Sequence, residues 1–256
     1  MRARPVSVFL TGFDDATGLD TGVSHALLDQ VADGELGETF RISIPGRVVA
    51  FGKRDAVSAG FDRAVEIVRG RGYAPVVRLP GGRAAVFHEQ TVSFSWTVPI
   101  DDRFTGSGAR FGAVAALIVR ALDLLGVPSA VGEVPGEYCP GAFSVNHANR
   151  IKLAGIGQRV VRGAAHVGGV LVVGGSSMVA DVLIPVYEAL DLSMNPATIG
   201  AVEDVAPGVG AEEVASAVLT AVSEAADVTA REPAPSTMDR ARILSRLHVP
   251  GSTDLA

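Results

Sequence analysis

The chain has 256 residues, 48% hydrophobic but only 5% aromatic, with 30 Gly and 14 Pro, which fits one large or two small globular domains with a sizeable core. A net charge of −6 supplies no general basic field for nucleic acid. Only two of the 22 basic residues are lysines, Lys53 and Lys152, and Cys139 is the single cysteine, so an intramolecular disulfide and a Cys-based zinc site are excluded.

The apolar run after Pro5 is broken by Thr11 and Asp14-Asp15, too soon for a secretory signal. The longest uncharged stretch, residues 163–180, carries His166, two serines and five glycines and makes a poor membrane span. The chain is therefore read as cytoplasmic, with no membrane and no nucleic-acid partner.

The spacing of Val23, Leu27, Leu28 and Val31 predicts a helix over 21–31, ended by Gly34. FRISI at 40–44 and RVVAFG at 47–52 read as two strands joined in a hairpin at Pro45-Gly46. A second helix is expected over 61–71. Strands at 74–79, 84–88 and 91–96 surround the Gly81-Gly82 turn, the last alternating Val92, Phe94 and Trp96. A mostly buried helix over 106–125 backs the sheet. The loop VPGEYCPG at 134–141 is followed by a strand near 142–146, a turn at 147–149 and a strand over 150–161, so Cys139 and Lys152 bracket one strand pair. Residues 164–173 read as a strand, 179–190 as either strand or helix, and 211–226 as an Ala-rich helix. Residues 229–238 read as a linker before a short helix over 239–247. There is no internal repeat, and the layout is α+β.

Three features carry chemistry. In Arg78-Leu79-Pro80-Gly81-Gly82-Arg83 the glycines let a ligand approach the backbone, and the flanking arginines suit an anion; the plainer reading is a tight turn with a solvated Arg. No GK[ST] follows, and the glycines lie between strands, which excludes a phosphate-binding P-loop or a dinucleotide fingerprint. Lys152 sits in an apolar strand, where an ammonium needs an anion, a carbonyl or a phosphate unless it snorkels from an edge. Cys139, 13 residues earlier, is either packing or a thiolate stabilised by a nearby cation. His25, His147 and His248 form no metal-binding spacing and are read as a helix, a turn and a tail residue, so no metal site is expected. His166 is read as either a pocket residue or a buried, satisfied histidine.

The Arg78-x-x-Gly81-Gly82-Arg83-Ala84 segment ending in Val86-Phe87-His88, with Lys152-Leu-Ala-Gly155-Ile-Gly157-Gln158-Arg159 followed by His166, resembles the lipoate-protein ligase and octanoyltransferase family, whose catalytic domain is shared with biotin protein ligases. Leu79 stands where the common motif has a second Arg. The resemblance implies mixed, largely antiparallel sheets flanked by helices, with a catalytic domain at 1–228 and a linker and short helix, no separate domain, at 229–256. It gives Gly81 and Gly82 to an acyl-chain channel, Lys152 to the acyl carbonyl, and Arg78, His88, Gly155 and His166 to the surrounding substrate site. Cys139 falls where one branch carries the acyl group, which favours cysteine-dependent octanoyl or lipoyl transfer from a thioester such as octanoyl-acyl carrier protein, with no cofactor.

The alternative branch is a ligase that uses ATP and Mg²⁺ with lipoate or octanoate through an acyl-adenylate. A non-catalytic acyl- or lipoyl-domain-binding protein is a third reading. Biotin is disfavoured, because the chain lacks a Gly-Arg-Gly-Arg loop. The implied partners are lipoyl-domain proteins of the 2-oxoacid dehydrogenase E2 or glycine-cleavage H type, with acyl carrier protein as donor.

Overall fold

Two-residue alternation decides which way each strand of the larger sheet faces. In the computed structural model, which describes residues 4–13 and 15–251, strand β1 (Pro5–Phe9) puts Val6 and Val8 into one core and Phe9 into another. Helix α1 (Leu19–Ala32) packs on the Phe9 side through Val23, Ala26 and Leu27. Strand β2 (Glu38–Ser43) continues the sheet, and β3 (Val48–Phe51) starts a second one. A single turn, α2 (Lys53–Ala56), and helix α3 (Phe61–Gly70) lead to β4 (Ala74–Val77), β5 (Ala85–Phe87) and β6 (Thr91–Pro99).

Helix α4 (Ser107–Leu124) precedes β7 (Ala130–Val131), β8 (Val145–His147), β9 (Ile151–Val160) and β10 (Ala164–Val172). Helices α5 (Ser176–Ala189) and α6 (Ala211–Ala225), strand β11 (Asp227–Ala230) and helix α7 (Pro235–Ser245) complete the chain. The larger sheet runs β11-β1-β2-β6-β10-β9-β8-β7 and the smaller β4-β3-β5. Three pairs are parallel, β11 with β1, β1 with β2 and β3 with β4, and the rest are antiparallel. This is the mixed, largely antiparallel α+β layout expected.

Cross-strand register sorts the larger sheet's residues into two faces. Val8, Phe40, Trp96 and Val167 stand side by side across four strands and join α4 and α6 in the main core. One step along, Phe9, Arg41, Ser95 and Gly168 form the next row, on the opposite face. The smaller sheet sandwiches α3 and α5 against one of its faces through Val49, Phe51 and Val86. Its other face presents Val48, Ala50 and Val76. A cleft lies between that apolar face and the Arg41–Ser95 row of the larger sheet.

Several expectations are corrected. β2 and β3 do not form a hairpin: β2 pairs with β1 and β6, whereas β3 pairs with β4 and β5. All four β3 residues are buried, so that strand needs cover on both faces and leaves the Pro45-Gly46 segment as a bridge between sheets. The strands flanking Gly81-Gly82, β4 and β5, meet only through β3, and β6 belongs to the other sheet. The ambiguous 179–190 segment falls mostly in helix α5, with Val179, Val182, Leu183 and Val186 buried at helical spacing. The strand expected at 142–146 begins at Val145.

The 229–238 segment is no linker. It holds the end of β11, which pairs with β1, and the first turn of α7, which starts at Pro235. The proline supplies a preset φ at the first helical position. α7 then packs along α1. His248, read as a tail residue, is 5% exposed and bonded through Nδ1 to Val77 O at 2.7 Å. Among the described residues no helix is long and apolar enough to cross a membrane.

Candidate active site

A buried cation has to be surrounded by acceptors, and Lys152 meets that requirement completely. The β9 side chain is 0% exposed, and its Nζ donates to Glu137 Oε1 at 3.0 Å, Tyr138 O at 3.0 Å and Cys139 O at 2.8 Å. The Tyr138 ring lies 4.8 Å from the same nitrogen, a cation–π distance. All three ammonium hydrogens therefore end on the 137–139 segment.

Glu137 organises that loop. Its Oε1 also accepts from Gly141 N at 3.1 Å and Ser144 Oγ at 2.6 Å, and its Oε2 accepts from Val134 N at 3.1 Å. One buried carboxylate thus ties both ends of the loop to the β9 lysine.

Cys139 emerges from this loop with φ +43°, a left-handed conformation that non-glycine residues rarely adopt. Its N–H donates to Tyr187 Oη at 2.8 Å, and that hydroxyl donates to Ala84 O at 3.2 Å. Burial pushes the Tyr187 phenol well up, so it stays protonated and can keep the second bond. The Cys139 thiol faces two donors, Arg83 N at 3.1 Å and Arg78 Nη2 at 3.4 Å. Burial opposes ionisation of the thiol, but the charges of Arg78 and Lys152, with the Arg83 N–H, outweigh it and hold the pKa below the ordinary thiol value.

The glycine loop fits around these donors. Gly82 has φ +105°, and an added Cβ would lie 2.5 Å from Arg78 Nη2 and 2.7 Å from Cys139 Sγ, so only glycine is accommodated. Arg78 Nη2 also donates to Arg83 O at 2.8 Å. Arg83 is in turn held by buried Asp55, Nη1 to Oδ1 at 3.0 Å, while Asp55 Oδ2 accepts from Gly52 N at 3.0 Å.

The structure brings together Arg78, Gly82, Cys139, Lys152 and Gly155; a Cβ at Gly155 would touch Lys152 Cε at 3.2 Å. Gly81 sits beside them, its N–H on Gln158 O at 3.3 Å. His166 lies farther along the cleft between the sheets, with Nδ1 2.9 Å from Thr97 Oγ1. Burial, with Arg41 and His25, lowers its pKa to about 4, so it is neutral. His88 does not join them: it is 0% exposed, its Nδ1 accepts from Gln90 N at 3.2 Å, and its buried Nε2 has no hydrogen-bond partner among the described residues. Glu137, Asp55 and Tyr187 went unnoticed in the sequence. Glu137 was findable, because a lysine in an apolar strand calls for an anion and Glu137 is the acid nearest to Cys139 in sequence. Tyr187, 48 residues from Cys139, gave no signal. Among the described residues there is no His/Cys/Asp/Glu group able to hold a metal ion.

Outside the loop, Cys139 opens toward a surface hollow lined by Arg54, Arg83, Pro140, Leu192 and Ser193. Arg78 therefore stands between two spaces, the hollow side reached through the thiol and the inter-sheet cleft that its own side chain lines.

Residues 20–223 match the family model described as the lipoyl protein ligase A/B catalytic domain. The chain belongs to that family. Among curated relatives it is 31% identical over 154 residues to an octanoyl-[GcvH]:protein N-octanoyltransferase of Geobacillus kaustophilus, covering 60% of this chain and 54% of the relative. To the enzyme of that name from Exiguobacterium sibiricum it is 32% identical over 143 residues, covering 55% and 50%. The matches thus span about half the length of these relatives. The fold is shared with a lipoate-protein ligase A crystallised with ATP, at TM-score 0.72 and 18% identity over 96% of this chain and 94% of that one. It is also shared with Ta0514, a putative lipoate protein ligase from T. acidophilum with bound lipoic acid, at TM-score 0.71 and 18% identity over 95% of each chain.

Proposed function

We propose that this protein is a cysteine-dependent acyltransferase that moves an octanoyl or lipoyl group from a carrier protein to a lysine of a lipoyl-domain protein. The observation that carries the reading is the Cys139 thiol, held between Arg83 N–H and the Arg78 guanidinium with its pKa lowered. A packing cysteine has no need of either donor. The names of the curated relatives, which give octanoyl-[GcvH] as donor and a protein as acceptor, support the same class of reaction.

In the first step Cys139 Sγ attacks the acyl carbon, the new C–S bond forms, and negative charge gathers on the carbonyl oxygen. The donors nearest that oxygen are Arg83 N–H and Arg78 Nη2, since both already lie within 3.4 Å of Sγ. Collapse expels the donor's leaving group, a thiolate from acyl carrier protein or, from acylated GcvH, a lysine amine that takes a proton from water as its C–N bond breaks, and leaves a thioester on Cys139. In the second step the amine of the acceptor lysine, entering from the Arg54–Ser193 hollow, attacks this thioester. The C–N bond forms, the amine nitrogen gives up a proton to water, the C–S bond breaks, and an amide and the Cys139 thiolate result. The role expected for Lys152 at the acyl carbonyl changes in this reading, because its Nζ is taken up by Glu137 Oε1, Tyr138 O and Cys139 O; it serves both steps from behind, through its charge and through its hold on the Cys139 carbonyl.

The test is to incubate the full chain, without ATP, with octanoyl-acyl carrier protein or with octanoylated GcvH and to weigh the intact protein. The expected result is an octanoyl adduct on Cys139 that passes to an added lipoyl domain. Cys139→Ser should reduce transfer by at least ~10³-fold, the scale of losing a nucleophile. Transfer that survives Cys139→Ala and requires ATP with the free acid would replace this reading by that of a ligase.

A further inference from the structure

Across the larger sheet from the inter-sheet cleft, on the side that α4 and α6 cover, lies a second pocket of about 560 Å³. Its wall is apolar, built from Trp96 and Val98 of β6, Val167 of β10, Ala113 and Leu117 of α4, and Ile100. The space is ample for an aromatic ring. Both ends of one loop form its rim: Ile100 lines the pocket where the loop leaves β6, and Ala109 and Arg110 line it near the start of α4.

Residues 101–106 of that loop are all exposed, and Phe104 near its middle is 82% exposed, so the ring stands outside its own chain's pocket. The loop is shaped from within. Asp102 Oδ1 accepts from Phe104 N at 2.9 Å, a side-chain turn, and the Arg103 guanidinium carbon lies 4.8 Å from the ring centroid. A bare phenylalanine and an apolar pocket each gain by leaving water. Four residues separate Ile100 from Phe104, so ring and pocket lie within roughly 14 Å of each other. Neighbouring ring and pocket are what a two-fold axis requires, since each copy then gives a ring and receives one.

The charges agree with that pairing. On the loop Asp101 and Asp102 stand against Arg103, and on the rim Arg4 and Arg110 stand against Glu38, so the loop is net acidic and the rim net basic. Glu38 is paired with Arg4 at 3.3 Å. Arg110 donates through Nε to the neutral Gln158 Oε1 at 2.8 Å, which leaves its charge for an acid.

We propose that the 101–106 loop and the pocket beside α4 form one self-complementary surface on which two copies of this chain pair, each inserting Phe104 into the pocket of the other. The inference goes beyond the acyl-transfer reading and does not rest on it.

Sedimentation velocity on the full chain from about 1 to about 200 μM tests it. The mass should rise with concentration from one chain to two, and added salt should weaken the pairing. Phe104→Ala should weaken it at least about 30-fold, the scale of losing a central aromatic anchor. Ala113→Phe, which fills the pocket from an exposed position on α4, should weaken it similarly. The two variants mixed should pair again, with an affinity between that of the wild type and that of either variant alone, because Phe104 of the Ala113→Phe chain still meets the open pocket of the Phe104→Ala chain. Sedimentation as a single chain at every concentration overturns the proposal, as does a dimer that both variants keep or a mixture that pairs no better than its components. A single chain whose binding to an added lipoyl domain is weakened by Phe104→Ala also overturns it and gives the surface to that partner.

Discussion

Lys152 acts on Cys139 through charge and loop geometry, since its three hydrogens end on Glu137 and on the carbonyls of Tyr138 and Cys139 itself. Removing it should therefore show in the thiol's titration and in stability together. Lys152→Met leaves the Glu137 carboxylate buried without its counter-ion, and loss of one partner of such a pair costs about 3–5 kcal/mol; urea denaturation measures this. Arg78→Met isolates the electrostatic part, because Arg78 is the largest charge effect lowering the Cys139 pKa. The depressed pKa means more thiolate at neutral pH. The pH midpoint for alkylation by iodoacetamide should therefore rise in this variant, and alkylation near neutral pH should slow. An unchanged midpoint would remove Arg78 from the site. Gly82→Ala should cut acylation of Cys139 by at least about tenfold, because the added methyl enters the contact between Arg78 and Sγ at a φ that disfavours any side chain. At this scale the sequence was informative wherever a residue type was out of place. A lysine among apolar residues, a lone loop cysteine and paired glycines all pointed to the site. The groups that satisfy them were hidden because hydrogen-bond partners such as Tyr187 are chosen by the fold and not by spacing.

Elements carry the site as a set of staples between otherwise separate parts. Helix α5 is hydrogen-bonded to the cysteine loop through Tyr187, whose hydroxyl joins Cys139 N–H to Ala84 O just before β5. Tyr187→Phe keeps the ring packed in the second core but orphans a backbone N–H in a left-handed residue. A loss of about 1–3 kcal/mol is expected for a buried group left unsatisfied, read as a lowered urea midpoint. Hydrogen exchange at the Cys139 amide should be faster, and acylation should slow more than binding weakens. Exchange as slow as in the wild type would show that the hydroxyl does not hold the loop. The helices were legible because their apolar spacing is local. The pairing of β2 and β3 was not, because proximity in sequence with a Pro-Gly between two apolar runs suits a hairpin and equally suits a crossing between sheets. Only the need to bury β3 on both faces separates the two. The period-two pattern of β6 was visible through Val92, Phe94 and Trp96, and its complement, Ser93 and Ser95, forms the polar wall of the cleft.

The whole molecule is closed by its C-terminal segment, which lays β11 beside β1 and α7 along α1 and ends with His248 on the carbonyl of Val77, next to Arg78. That closure depends on neutral histidines. Burial, with His25 and Lys53 and against the Val77 hydrogen bond, takes His248 to about 4, and burial with Arg41 and His25 takes His166 to about 4. Both values lie below the unfolded value of 6.5, so the unfolded chain binds these protons first. The stability they contribute is complete above pH 6.5 and is lost as pH falls from there toward about 4. At about pH 5 each histidine should have cost roughly 2 kcal/mol, while ordinary carboxylates remain mostly ionised. Urea unfolding at about pH 7.5 and about pH 5 measures the difference. His248→Gln, which can still donate to Val77 O, should remove roughly 2 kcal/mol of the acid loss, and His248→Gln with His166→Gln about twice that. A loss of stability on acidification that is the same in the wild type and in both variants would mean that other groups, and not these two rings, set the acid limit of the fold.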